Sequence, residues 1–172
     1  MISLRELKEE DASLMLEWMH DPEIQKGFKK NFLNASVDDA KKFIEKAKIP
    51  TKIESGSDLH FAIVNEEDTY LGTVSLKRID LENLSAEYAI TTRKKIHGRG
   101  VASRATRLVL QKAFFEYGLH RVYLNVYADN ADAIRLYKRC GFKFEGEFRD
   151  HIKRNDKYVN WKWFGILDSE FK

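Results

Sequence analysis

The segment Lys94-Lys95-Ile96-His97-Gly98-Arg99-Gly100-Val101-Ala102-Ser103 stands between a run that reads as a strand and a run that reads as a helix. Glycine lets backbone approach a ligand closely. The first amide N–H groups of a helix point outward, with the positive end of the helix dipole behind them. Lys94, Lys95, Arg99 and Arg104 add positive charge. Such a segment offers pyrophosphate binding; its plainer reading is a glycine turn with a solvated basic face. No Gly-Lys-Ser/Thr follows, so it is not a P-loop, and the third glycine of a dinucleotide fingerprint is missing. About thirty residues on, Asn130-Ala131-Asp132-Ala133-Ile134-Arg135-Leu136-Tyr137-Lys138-Arg139-Cys140-Gly141-Phe142 follows a strand and opens a second helix. Tyr137, on its own residue type and place in that helix, reads as a packed aromatic. Glu87, in Ser85-Ala86-Glu87-Tyr88-Ala89-Ile90, is either an exposed strand residue or a general base beside a cleft. His20, His60, His97, His120 and His151 show no metal-ligand spacing, so no metal is expected. Cys140 lies on an apolar stripe with Ala133, Leu136 and Tyr137 and reads as a free core thiol. Trp161 and Trp163 alternate with Lys162 and read as packing or an interface.

These groups need elements to hold them. Ile2, Leu4 and Leu7 suggest a first strand, followed by a helix with Leu14, Met15, Trp18 and Met19 on one stripe. Asp21-Pro22 breaks that helix, and a second segment runs to about Lys30. Ser36 caps a third helix carrying Ala40, Phe43, Ile44 and Ala47. Strands are expected at 59–64, 70–79 and 85–90, a helix over 101–117, a strand at 121–127, a helix over 130–140, and closing strands at 142–149 and 157–167. Consecutive strands imply antiparallel hairpins, and strand-helix-strand units imply at least one parallel pair. The expected class is α+β: one domain over residues 1–172, with a mixed, largely antiparallel twisted sheet of about seven strands flanked by helices. The length of 172 residues suits one buried core. Lys+Arg 30 against Asp+Glu 27 gives a net charge of only +3, and the basic pairs Lys29-Lys30, Lys41-Lys42 and Lys94-Lys95 are dispersed, so no nucleic-acid partner is expected. No apolar run approaches a signal segment or the roughly 18 residues that cross a bilayer. The expectation is a cytoplasmic protein with no membrane partner. One cysteine rules out an internal disulfide framework and a four-Cys zinc site.

Together the two motifs resemble the GNAT superfamily of acetyl-CoA-dependent N-acetyltransferases. The family's glycine loop reads Gln/Arg-x-x-Gly-x-Gly/Ala, and His97-Gly98-Arg99-Gly100-Val101-Ala102 fits it except that His97 replaces Gln or Arg. The family's Asn-x-x-Ala-x-x-x-Tyr-x-x-x-Gly-Phe pattern is matched from Asn130 to Phe142 at every one of those positions. Phe144-Glu145-Gly146-Glu147-Phe148-Arg149 is similar to the RimJ/RimL-like branch, typified by ribosomal-protein alanine acetyltransferases. The resemblance implies direct attack of an amine on the thioester carbon of acetyl-CoA. By it, His97, Gly98, Arg99, Gly100, Val101, Ala102 and Ser103 cradle the pyrophosphate and Asn130 lies near the pantetheine arm. By it too, Tyr137 is the general acid; the base is read from the residues alone, as Glu87 in its strand, acting directly or through water, or as a solvated exit path. The acceptor wall falls at about Trp18 to Phe32, where Trp18-Met19-His20-Asp21-Pro22-Glu23-Ile24 is similar to acetyltransferases of nucleotide-linked amino sugars. The expected acceptor is such a sugar or another small amine. The alternatives are a protein N-terminus, a polyamine, or a silent acyl-CoA-binding module. A homodimer is among the expectations.

Overall fold

The computed structural model describes all 172 residues. Its elements are β1 (Ile2–Glu6), α1 (Ala12–Met19), α2 (Pro22–Gln25), α3 (Val37–Lys46), β2 (Leu59–Asn65), β3 (Tyr70–Asp80), β4 (Ser85–Thr92), α4 (Val101–Gln111), β5 (Arg121–Tyr127), α5 (Ala131–Arg139), β6 (Lys143–Arg154) and β7 (Lys157–Leu167). The seven strands form one sheet in the order β1-β2-β3-β4-β5-β7-β6. Only β4 and β5 run parallel, so the mixed, largely antiparallel α+β arrangement is the one expected. No helix is long and apolar enough to cross a membrane.

Period-two alternation gives the sheet two distinct faces. One face carries Phe61, Ile63, Val74, Leu76, Ala86, Tyr88, Val122, Leu124, Val126, Phe164 and Ile166, which bury against Val101, Ala105, Val109 and Leu110 of α4 and Tyr137 of α5. The opposite face carries Ala62, Val64 and Tyr70, buried under Ala12, Met15, Trp18 and Met19 of α1 and Ala40 and Ile44 of α3. These helices begin as their caps dictate. Asp21 accepts from the N–H groups of Glu23 and Ile24, with Pro22 starting α2. Ser36 and Asp39 form a reciprocal capping box on α3.

Three expectations are corrected. The second helical segment does not reach Lys30, because α2 ends at Gln25 and the chain then turns around an aromatic cluster of Trp18, Phe28 and Phe32. The helix expected to run on to Tyr117 widens into a π-turn at Lys112–Glu116, which puts the sequence neighbours Ala113 and Phe114 both against the core. The strand expected to stop at Arg149 continues to Arg154 through an irregularity between Phe148 and Ile152, where Asp150 adopts φ 48°. The β6–β7 connection is a tight turn at Asn155 and Asp156, with φ 49° and 60°.

Candidate active site

β4 and β5 pair only over Ser85–Glu87 with Arg121–Tyr123. Beyond that row β4 stays bonded to β3 as far as Thr92 and β5 to β7 as far as Tyr127. The two facing edges are therefore unpaired, and a split opens in mid-sheet whose walls are backbone N–H and C=O groups. Such groups are obligatory hydrogen-bonding partners, so the split suits a ligand with amide character running along it.

The glycine loop lies where β4 ends. Lys94–Ile96 makes a single 3-10 turn, Gly98 and Gly100 sit at φ 77° and 72°, and α4 starts at Val101. A Cβ at Gly98 or Gly100 would meet no atom within 4 Å, so glycine is required for its backbone angle and the space above the loop is open. The N–H groups of Gly98, Gly100, Val101, Ala102 and Ser103 have no acceptor in the protein, and Arg104 is the first to bond back, to Gly100 O at 3.1 Å. The four from Gly100 to Ser103 stand at the positive end of α4, with that of Gly98 in the loop before it, an arrangement suited to an anion. His97 is placed differently from the Gln or Arg it replaces. Its ring Nε2–H donates back to Thr92 O at 3.3 Å and its N–H to Lys94 O at 3.0 Å, so it braces the loop against β4.

Arg93 is a residue that sequence reasoning missed. It is 1% exposed, donates Nη1–H to Tyr70 O at 2.8 Å, and holds Glu17 of α1 through Nε and Nη2 at 2.7 and 2.6 Å. A bidentate guanidinium–carboxylate pair fixes orientation as well as distance. It ties the entrance of the glycine loop to α1. Only its place directly after a strand and before the loop hinted at this.

Tyr137 and Glu87 lie on opposite faces of the sheet at the split. The Tyr137 ring packs against Tyr88 at 5.9 Å, Phe142 at 6.1 Å and Phe164 at 6.5 Å. Its hydroxyl makes no hydrogen bond to the protein and is not among the fully enclosed polar atoms. Burial, followed by the nearby Cys140 thiol, pushes its pKa up to about 12, so the phenol stays protonated at neutral pH. Neighbouring Tyr88 donates to Thr106 Oγ1 at 2.7 Å, and Thr106 donates to Ala102 O at 2.7 Å, which ties the wall of the split to the first turn of α4. Cys140 is a half-buried free thiol directly after α5, 4.0 Å from Ser103 O, and burial pushes its pKa up.

Glu87 is not an exposed strand residue. It is 7% exposed, in the last paired row, opposite Lys77 on β3 and Tyr123 on β5. Lys77 Nζ stands 3.4 Å and Arg78 Nη1 3.2 Å from its carboxylate, yet Oε2 is enclosed without a hydrogen bond. A buried carboxylate oxygen without a donor is costly unless something supplies one. Asn130 caps α5, its Oδ1 accepting from Ala133 N–H at 3.2 Å, which leaves its Nδ2 free.

The Glu87 face carries a second aromatic group besides the Trp18–Phe32 segment. On the Glu87 face, Tyr123, Asn125 and Tyr127 of β5 are level with Gly165, Trp163 and Trp161 of β7. Tyr127 stacks beside Trp161, and Lys29 Nζ sits 3.9 Å above the Trp161 ring.

Residues 2–143 match the model of the acetyltransferase (GNAT) domain. The chain belongs to the GNAT acetyltransferase family. It is 27% identical over 174 residues to the uncharacterised N-acetyltransferase p20 of Bacillus licheniformis, covering 99% of this chain and 94% of that one. It is 29% identical over 119 residues to spermidine N(1)-acetyltransferase of Vibrio cholerae, covering 69% of each. A crystal structure of spermidine N-acetyltransferase from the same organism, in complex with CoA and spermine, superposes with a TM-score of 0.85 at 25% identity, covering 99% of this chain and 97% of that one. The protein is thus an acetyl-CoA-dependent N-acetyltransferase, and the cradle above fits that co-substrate. Two of these relatives are named for spermidine, and none singles out the RimJ/RimL-like branch.

Proposed function

We propose that residues 1–172 act as one acetyltransferase domain that moves an acetyl group from acetyl-CoA to the primary amine of a small molecule by direct attack. The carrying observation is the mid-sheet split with a protonated phenol on one face and a buried carboxylate on the other. The N–H groups from Gly98 to Ser103 hold the pyrophosphate, with Arg99 adding charge at the mouth, and His97 braces them. Asn130 Nδ2 and the free strand edges hold the pantetheine amides. The amine nitrogen bonds to the acetyl carbon as the carbon–sulfur bond breaks. Glu87, directly or through water, takes the proton that nitrogen loses, and the Tyr137 hydroxyl protonates the departing sulfur.

The demand on Glu87 depends on the acceptor. An amine of pKa about 10.4 is only about one part in two thousand neutral at pH 7, whereas one near 7.8 is over about a tenth neutral. Within small amines, the aromatic wall of Tyr127 and Trp161 with Lys29 above it favours a nucleotide-linked amino sugar. A polyamine is the second reading, favoured by the relatives named for spermidine. The test is thiol release from acetyl-CoA with a uridine-diphosphate-linked amino sugar, spermidine and a peptide N-terminus offered separately. Turnover of a small amine well above the peptide is the expected result; preference for the peptide overturns the reading.

A further inference from the structure

We infer that Lys29 sets acceptor specificity by holding an anionic group borne by the amine substrate, and so selects against polycations. The inference rests on the acetyl-transfer reading above and deepens it.

Lys29 belongs to the connection between α2 and α3, yet its ammonium lies 3.9 Å above the ring of Trp161, a residue of β7. A cation over an indole face is attracted by the ring quadrupole, which fixes the ammonium in place without neutralising it. No carboxylate lies within ion-pair reach of it. Acids of the neighbouring segments are paired elsewhere: Glu23 holds Lys26 at 2.7 Å, Asp21 faces Lys94 at 3.5 Å, and Asp129 holds Arg154. Arg154 itself lies 4.5 Å above Tyr127, the ring stacked beside Trp161, and donates to Lys26 O at 3.2 Å. Two cations thus cap the aromatic pair, with one carboxylate between them. A polyamine would bring further positive charge to a surface that already carries an excess of it.

Distance narrows the class. Glu87 is level with Tyr123, and Trp161 with Tyr127, on the same face of the sheet. At about 3.4 Å per residue, the four-residue step along β5 is about 14 Å. An amino acid, whose carboxylate is bonded to the carbon bearing the amine, is too short to reach both ends. A sugar-sized body between amine and phosphate comes closer, and a diphosphate linkage closer still. The shared chemistry is a primary amine on a body of that length ending in phosphate.

Lys29 is exposed, so charge reversal there leaves the core intact. The test compares wild type, Lys29→Glu and Lys29→Arg with four amines: glucosamine, glucosamine 6-phosphate, uridine-diphosphate-linked glucosamine and spermidine. Both kcat/KM and equilibrium binding in the presence of CoA are measured. Wild type is expected to prefer a phosphorylated amine over glucosamine by at least about tenfold, the fold-change of one charge-assisted contact. Lys29→Glu should remove that preference through KM, leave the KM for acetyl-CoA unchanged, and improve spermidine; Lys29→Arg should retain the preference. The uridine arm separates a diphosphate-linked sugar from a simple sugar phosphate. A wild-type preference for spermidine, or a phosphate preference unmoved within twofold by Lys29→Glu, overturns the inference while leaving acetyl transfer intact. If none of these amines is turned over, the small-molecule acceptor proposed above fails, and the binding measurements still decide whether Lys29 reads the phosphate.

Discussion

Replacing Tyr137 with Phe removes one oxygen from a ring whose packing is otherwise unchanged. The ring is 9% exposed and held edge-on by Tyr88 and Phe142, and the hydroxyl has no protein partner. No partner is orphaned by the change, so the roughly 1 kcal/mol that a structural hydrogen bond contributes is not lost. Melting temperature and CoA affinity should both hold. Turnover should not. In the proposed reaction the sulfur departs beside Tyr137, whose neighbours Tyr88, Phe142 and Phe164 solvate negative charge poorly, and a positioned acid contributes about 10²–10⁴ in rate.

The raised pKa sharpens this expectation. With the phenol near 12 and a thiol in water near 8.5, complete proton transfer would run uphill by about 5 kcal/mol. The departing thiolate, however, forms in the same dry surroundings. Cys140, close enough to add to the shift on Tyr137, is itself pushed up by burial, and it gauges what those surroundings do to a thiol. The mismatch therefore narrows as charge builds on sulfur, and the role proposed for the hydroxyl is first that of a hydrogen-bond donor and then that of an acid. The assay is single-turnover thiol release with CoA titration and thermal unfolding on the same variant. A rate within twofold of wild type, with chemistry shown to be limiting, would refute the assignment. A fall in melting temperature with turnover preserved would show a structural hydroxyl instead.

Gly100→Val forces a β-branched residue to φ 72° and sets side-chain atoms in the open space over the loop, so CoA affinity measured by calorimetry should weaken at least about tenfold with the fold retained by circular dichroism. Glu87→Gln should lower turnover and remove the acidic limb of the pH–rate profile for a high-pKa amine; wild-type rates across pH 6–9 (about the span between acid and amine pKa values) would leave Glu87 structural. Arg93→Met lets Glu17 turn to water but strands the buried Tyr70 carbonyl, a loss of about 1–3 kcal/mol readable by urea unfolding. Tyr137 holds its proton to about pH 12, and Tyr70 and Tyr88 are also raised, whereas unfolded phenols release theirs near 10. The stability carried by these neutral phenols is complete below about pH 10 and lost as pH rises toward and beyond 12, so the melting temperature should fall there, less steeply in Tyr137→Phe.

Most strands were legible because burial on one face imposes period two, as in Val122, Leu124 and Val126. The glycine loop and the Asn130–Phe142 segment were legible because their chemistry is local: a left-handed backbone at Gly98 and Gly100, and a helix opened by Asn130. Contacts far apart in sequence were not. Nothing in Lys29 announces Trp161, and nothing in Glu17 announces Arg93; each pair exists because the sheet order brings α1 and the α2–α3 connection beside strands added later. Glu87 reads as solvent-facing by residue type, and its burial comes from neighbours on two other strands. The extension of β6 was hidden because the irregularity at Asp150 resets the alternation that marks a strand.

A sheet rarely leaves two interior edges unpaired, since each buried N–H or C=O without a partner carries a free-energy penalty. Here the penalty falls where β4 and β5 part, just past the row that holds Glu87. The surroundings keep the strands from closing. Arg93 fastens the far end of β4 to α1, Tyr88 fastens its wall to α4 through Thr106, and β7, inserted between β5 and β6, holds β5 along its whole length. Rigidity on both sides means the split need not be opened by the ligand, and its backbone groups are oriented before binding. The same rigidity separates Glu87 from Tyr137, the two groups proposed to move protons. In the proposed reaction Glu87 faces the side of Trp161 and Tyr127, where the amine would arrive, and Tyr137 faces the side of α4 and the glycine loop, where the thioester's carrier would lie. Set on opposite faces of a fixed gap, each can meet a different end of the bond being exchanged.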